Sequence, residues 1–276
     1  MVNIGQINRL EVVKQVDFGV YLDAEDLGTI LLPKRYVPAN CALGTWLDVF
    51  VYFDSEDCLI ATTLTPTVSV GECAYLKVKQ VNNVGAFMDW GLLKDLLVPF
   101  AEQHKPFEEG RSYVVTAYRD TYTDRILASS KLNRHLSETA HHFQANEPVD
   151  LIVFGRSDMG YKAVINHRHI GLIFRDAAFK PLSYGQALQG YIKGLRPDGK
   201  IDLSLQLPAG LARPELTRQI LDYMQAHGGV SLLSDKSPPE LIYETFNVSK
   251  ANYKKALGAL LKQQKIVMEP GQIRLR

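Results

Sequence analysis

Apolar residues recur at every second position in short runs from the N-terminus to about residue 206. In TWLDVFVYF, Leu47, Val49, Val51 and Phe53 alternate with Trp46, Asp48, Phe50 and Tyr52, the period of a strand with one face on a core. The neighbouring runs VDFGVYLD, GTILLP and CLIATTL are equally short and rich in β-branched and aromatic residues, which fit strands. Near Arg213 the period changes. Leu216, Ile220 (with Leu221) and Met224 stand at helical spacing, and Gly228-Gly229 stops the run. Ser237, Pro238, Pro239 and Glu240 then read as an N-cap, first-turn prolines and a capping box. A third helix starts at Ser249, with Tyr253, Leu257, Leu260 and Leu261 as its buried stripe. Pro270-Gly271 between two apolar runs reads as a hairpin. Three helices and a terminal hairpin make a winged helix, with helix three as recognition element and the hairpin as wing.

The strand-rich part repeats. A shift of 66 residues sets Gly19 on Gly85, Pro33 on Pro99, Gly44 on Gly110 and Asp54 on Asp120, and a further shift of 75 carries Gly85 to Gly160 and Gly110 to Gly185. Several such coincidences at one offset, with apolar strands between them, argue for three copies of one small fold. Each copy has about five strands and no long amphipathic helix, a unit that avoids open edges by closing into a barrel. The last strand of copy three, Asp198-Gly199-Lys200-Ile201-Asp202-Leu203-Ser204, and the Gly-aromatic strand two resemble the S1 type of OB-fold. The expected fold is therefore mainly β with a C-terminal α/β module: three tandem five-stranded OB-fold barrels of S1 type, then a winged helix. The expected domains are 1–65, 66–133, 147–208 and 209–276, with 134–146 as a linker that Ser137 and the apolar residues after it mark as a short helix. Adjacent His141 and His142 read as solvated linker residues.

Three stretches, GYKAVINHRHIGLIF, LLP in copy one and DKSPPELIYETFNVSKANYKKALGALLKQQKI, resemble the conserved virulence factor B family over essentially the whole chain. That resemblance implies RNA binding with a regulatory effect on gene expression; it does not imply catalysis. S1-type barrels present an aromatic before the strand-two glycine, another two residues after it, and a histidine on strand three. Copy one keeps Phe18 and Tyr21; both rings can serve one strand only if the backbone bends or bulges at Gly19. Copy two keeps Phe87, has Val84 at the first place and Trp90 nearby. Copy three has Met159 and Lys162 at the two places, flanked by Tyr161. The strand-three place is filled by Leu32, Val98 and Phe174. Lys162, Arg168, His169, Arg175 and Lys193 make a phosphate-tracking rim, and Lys250, Lys254, Lys255, Lys262 and Arg274 supply the winged helix. Phe50 and Tyr52 read as structural or as an interdomain contact.

Charge refines this picture. The net charge is +1, but residues 1–64 carry four Lys/Arg against nine Asp/Glu, and residues 213–276 carry ten against six. A polyanion is drawn to the C-terminal part first, so copies two and three with the winged helix are expected to carry the affinity. Copy one is left for positioning or a protein contact. Cys41, Cys58 and Cys73 are odd in number and form no C-x-x-C pair, which fits reduced thiols and a cytoplasmic protein. There is no apolar run of membrane-spanning length, no P-loop, no G-x-S-x-G and no H-E-x-x-H. The expected partner is single-stranded RNA, with no cofactor, no metal, no membrane and no enzyme activity. Two alternatives stay open: a DNA-binding regulator acting through the winged helix, and a scaffold that docks proteins.

Overall fold

In the computed structural model, which describes residues 1–178, 181–246 and 248–276, three barrels close in series. The first holds β1 (Ile7–Val16), β2 (Gly19–Asp23), β3 (Thr29–Pro33), β4 (Trp46–Phe53) and β5 (Leu59–Thr62). The second holds β6 (Cys73–Val81), β7 (Gly85–Asp89), β8 (Leu96–Pro99), β9 (Ser112–Arg119) and β10 (Ile126–Ser129). The third holds β11 (Pro148–Arg156), β12 (Gly160–Ile165), β13 (His169–Phe174), β14 (Ala187–Leu195) and β15 (Ile201–Ser204). In each, the first strand pairs with the second and fourth, and the third runs parallel to the fifth. This is the expected OB-fold order. The long first strand serves two neighbours by bending at a bulge, between Val12 and Lys14, Val78 and Gln80, and Val153 and Gly155. The bulged residues Val13, Lys79 and Phe154 fall at the repeat offsets found in the sequence.

The recurring strand-two glycine has a steric cause. A Cβ on Gly19, Gly85 or Gly160 would stand 2.2, 2.3 or 2.0 Å from the carbonyl oxygen of Leu32, Val98 or Ile173 on the next strand. The obstacle is backbone, so a side chain at these places forces strands two and three apart. Gly160→Ala is expected to cost about 1–3 kcal/mol, the range for overpacked sites. Chemical denaturation measures it, and an unchanged midpoint would refute the steric account.

The barrels do not hang as beads. β4 is buried on both faces: Val49 and Val51 enter the first barrel's core, while Phe50 and Tyr52 join the second barrel's core around Trp90. Val70 N–H donates to the Gly5 carbonyl at 2.8 Å. Asp57 pairs with Arg125 and, at 3.6 Å, with Lys94 across the same junction. On the other side, Cys73 and Val114 of the second barrel pack with Val164 and Ile170 of the third. There the Cys73 amide donates to His167 Nδ1 at 3.1 Å, and burial pushes the Cys73 thiol up to about 11. A thiol so held is unreactive at neutral pH.

The segment 134–146 differs from the helix expected. A single 3-10 turn spans Leu132–Arg134; then Ser137 bridges to His169 and Thr139 to Lys200. Ser137 Oγ donates to the Thr139 carbonyl at 2.7 Å and accepts its amide at 3.2 Å, a local alternative that competes with a helix. Leu136 packs at the junction of barrels two and three, and Ala140 and Phe143 pack in the third core. The connector is an extended strap. His141 and His142 stay exposed, with the His142 ring 4.3 Å from that of Phe143 and 5.2 Å from that of His169.

The C-terminal module holds α1 (Ala209–Ala226), β16 (Val230–Ser231), α2 (Pro239–Phe246), α3 (Lys250–Lys262), β17 (Ile266–Glu269) and β18 (Gln272–Leu275). Gly228 and Gly229, at φ 70 and 83, end α1. α2 starts later than expected: Pro238 O accepts from Ile242 N–H, and Ser237 Oγ accepts from Ser234 N–H instead of capping the helix. Ser249 does cap α3, accepting the Asn252 amide at 3.2 Å. Tyr253, Ala256, Leu257 and Leu260 are its buried stripe, whereas Leu261 is 37% exposed and lies off it. Gly271 at φ 80 follows Pro270 in the wing turn, the residue pair of a type II turn.

Candidate nucleic-acid interface

Barrel one presents a complete ring pair. Phe18 is 58% exposed, and its ring centroid lies 6.5 Å from that of Tyr21 at an interplanar angle of 83°. The two rings therefore share one side of the strand. The bulge on β1 brings Lys14 opposite Tyr21, with Nζ 5.8 Å from the ring centroid. Two rings for bases and one ammonium for a phosphate stand together at the outer surface.

Barrel two is less complete. Phe87 is half-buried on the outer face of β7, and Val84 is exposed at the first place. Trp90 corrects the sequence reading: it is 2% exposed, edge-on to Phe50 at 5.7 Å and to Tyr52 at 6.5 Å. Its indole N–H donates to the Lys94 carbonyl at 2.6 Å. The large apolar area of an indole goes to the inter-barrel core, not to a base. Burial also pushes the Tyr52 phenol up to about 12. Phe50 and Tyr52 make the interdomain contact.

In barrel three Tyr161 is likewise corrected, being 7% exposed within the core, with the Arg156 guanidinium 5.6 Å from its ring. Met159 and Lys162 are exposed. Phe174 is half-buried between two cations, Lys193 Nζ at 5.2 Å and the Arg196 guanidinium at 5.4 Å from its ring centroid. The single rim does not form. Arg168 and His169 lie at the tip of the β12–β13 hairpin, and Arg175 lies at its other end, about 17 Å away for strands of this length. Burial beside His142 and Arg168 lowers the His169 imidazole's affinity for a proton.

Register also corrects the strand-three positions. Gly19, Gly85 and Gly160 pair with Pro33, Pro99 and Phe174. Leu32 and Val98 are thus equivalent to Ile173, and all three are buried in their cores. The outward strand-three residues are Leu31, Leu97 and Leu172, opposite Tyr21, Phe87 and Lys162.

Sequence reasoning missed a cleft of about 770 Å³ between barrels two and three. Its cations come from the loop after β8 (Lys105), the start of β9 (Arg111), the connector (Lys131, Arg134) and the β11–β12 hairpin (Arg156, Lys162). Behind the connector, Glu102 accepts Ser129 Oγ–H at 2.6 Å and stands 3.5 Å from His135 Nε2. Burial opposes its ionisation, but those hydrogen bonds, with Arg134 nearby, hold its carboxyl below the usual range. On the winged helix Lys254, Lys255 and Lys262 are exposed and Lys250 is half-buried. Lys254 lies 3.8 Å from Asp235, and Arg274 lies 3.0 Å from Glu269. Among the described residues no group of three or more His, Cys, Asp or Glu side chains could hold a metal ion. No helix among them is long and apolar enough to cross a membrane.

The family model described as S1 domain matches residues 4–64, and the CvfB-like winged helix domain matches residues 218–275. Modules of these two kinds support nucleic-acid binding. A solved multidomain protein with nucleic acid binding domains from Streptococcus pneumoniae is similar over 99% of this chain and 98% of its own, at 24% identity and a TM-score of 0.43. The conserved virulence factor B of Staphylococcus epidermidis is 28% identical over 99% of this chain and 94% of its own. The uncharacterized protein YitL of Bacillus subtilis is 30% identical over 97% of this chain and 92% of its own. With identity sustained from the S1 module at one end to this winged helix at the other, the chain belongs to the conserved virulence factor B family.

Proposed function

We propose that this chain binds single-stranded RNA without catalysis and acts in post-transcriptional control of gene expression in the cytoplasm. The observation that carries the reading is the exposed Phe18 ring paired with the half-buried Tyr21 ring, with the Lys14 ammonium beside it. Unpaired strands are held by bases on ring faces and by cations along the backbone, and each stacked base is worth about 1–3 kcal/mol. The acidic first barrel then supplies stacking that positions the strand, while the later modules supply charge. A duplex reader is disfavoured at α3, because the Asn252 side chain, suited to an adenine edge, donates to Gln206 Oε1 at 2.8 Å.

The test uses the full chain, since cutting after barrel one would expose Phe50 and Tyr52. Titration with labelled single-stranded RNA is expected to give the Phe18→Ala, Tyr21→Ala variant an affinity about 5- to 150-fold lower if one base is lost. Its salt dependence should match the wild type, because no cation is removed. Equal affinity would refute the platform, and preference for duplex DNA in competition would refute the RNA assignment.

A further inference from the structure

We infer that the cleft between the second and third barrels is a phosphodiester-binding site, where an unpaired strand crosses from one barrel to the next. This deepens the RNA reading and rests on it. The lining includes six Lys/Arg side chains and no carboxylate residue. Arg111 and Arg134 have partners outside the lining, Glu108 at 3.0 Å and Glu102 at 3.4 Å. Lys105, Lys131, Arg156 and Lys162 have no carboxylate partner among the described residues. Four uncompensated charges facing one concavity raise the local potential and concentrate an anion there.

Two of these cations are held in place. Lys131 Nζ donates to the Ala101 carbonyl at 2.6 Å, and the Arg156 guanidinium sits over Tyr161. The cleft also offers a ring. Tyr184 is 45% exposed while its phenol oxygen accepts the Val114 amide at 3.0 Å, so the ring is anchored at its rim. Charge and an open ring together suit a nucleotide chain rather than a lone phosphate. The walls are joined by the buried contact of Cys73 and Val114 with Val164 and Ile170, so the site is preorganised and binding need not order it. No single barrel contains it.

The experiment is a salt titration of labelled single-stranded RNA against the full chain. Neutralising one cation from each wall, Lys131→Gln with Lys162→Gln, is expected to lower affinity at least about tenfold at low salt. Each single-strand phosphate contact contributes roughly 0.7 to the slope of log K against log salt, so the slope should become shallower by about 1.4. A control pair outside the cleft lining with the same charge change, Arg9→Gln on the first barrel with Lys236→Gln, should leave the slope as it was. An unaltered slope in the cleft variant, or an equal change in the control pair, overturns the inference while the RNA reading stands. If the first variant fails to fold, Lys105→Gln with Arg156→Gln takes its place under the same criteria. Wild-type protein that binds no single-stranded RNA at low salt overturns both.

Discussion

Trp90→Ala is expected to destabilise the barrels by about 3–5 kcal/mol, the cost of truncating a buried large aromatic. Its indole fills the junction between barrels one and two against Phe50 and Tyr52, and its loss leaves the Lys94 carbonyl without that donor. A penalty of this size is a large part of the stability of a typical domain. Denaturation followed by barrel-specific fluorescence or hydrogen exchange measures it. Because the ring is sealed from solvent, RNA affinity and its salt dependence should stay near wild type wherever the variant is still folded. The opposite result, normal stability with weakened RNA binding, would return Trp90 to the stacking surface and dismantle the junction described here.

The second large effect falls on the winged helix. Tyr253 is fully buried, stacks on Phe246 at 5.2 Å and donates its phenol O–H to the Leu233 carbonyl at 2.9 Å. Tyr253→Ala should also cost about 3–5 kcal/mol, but elsewhere in the unfolding profile. The cluster around Tyr253 draws its residues from the C-terminal module alone, whereas the first two barrels share one cluster and the second and third share another. Unfolding is therefore expected in two steps, a block of three barrels and a separate winged helix. Trp90→Ala should move the first step and Tyr253→Ala the second. A single transition shifted by both variants would show that the modules are coupled through contacts beyond these cores.

Much of this was legible in the chain itself, for local reasons. A glycine whose Cβ would strike a carbonyl recurs wherever the same two strands cross, so three barrels announce themselves at fixed offsets. Ser249 and Pro270-Gly271 act through neighbouring residues, so the helix start and the wing turn could be read directly. Alternation along β4 marks two faces correctly, but both are apolar. The alternation cannot say that Phe50 and Tyr52 would be covered by another barrel instead of by solvent or RNA. Trp90 and Tyr161 were misread for the same reason, since aromatic character suits a base platform and a core equally. Ser137 and the apolar residues after it suggested a helix, yet Ala140 and Phe143 serve the third core from an extended strap, and Leu136 before them packs at the junction.

The amino-acid order alone determined the repeated barrel, the winged helix and the aromatic pair on barrel one, because each depends on contacts close in sequence or on a pattern copied three times. Only the tertiary structure decided which rings stay open and which cations converge. Lys105, Lys131, Arg156 and Lys162 line one cleft because two barrels and the strap between them meet there. Coulomb fields add by distance in space, and spacing along the chain does not encode that distance.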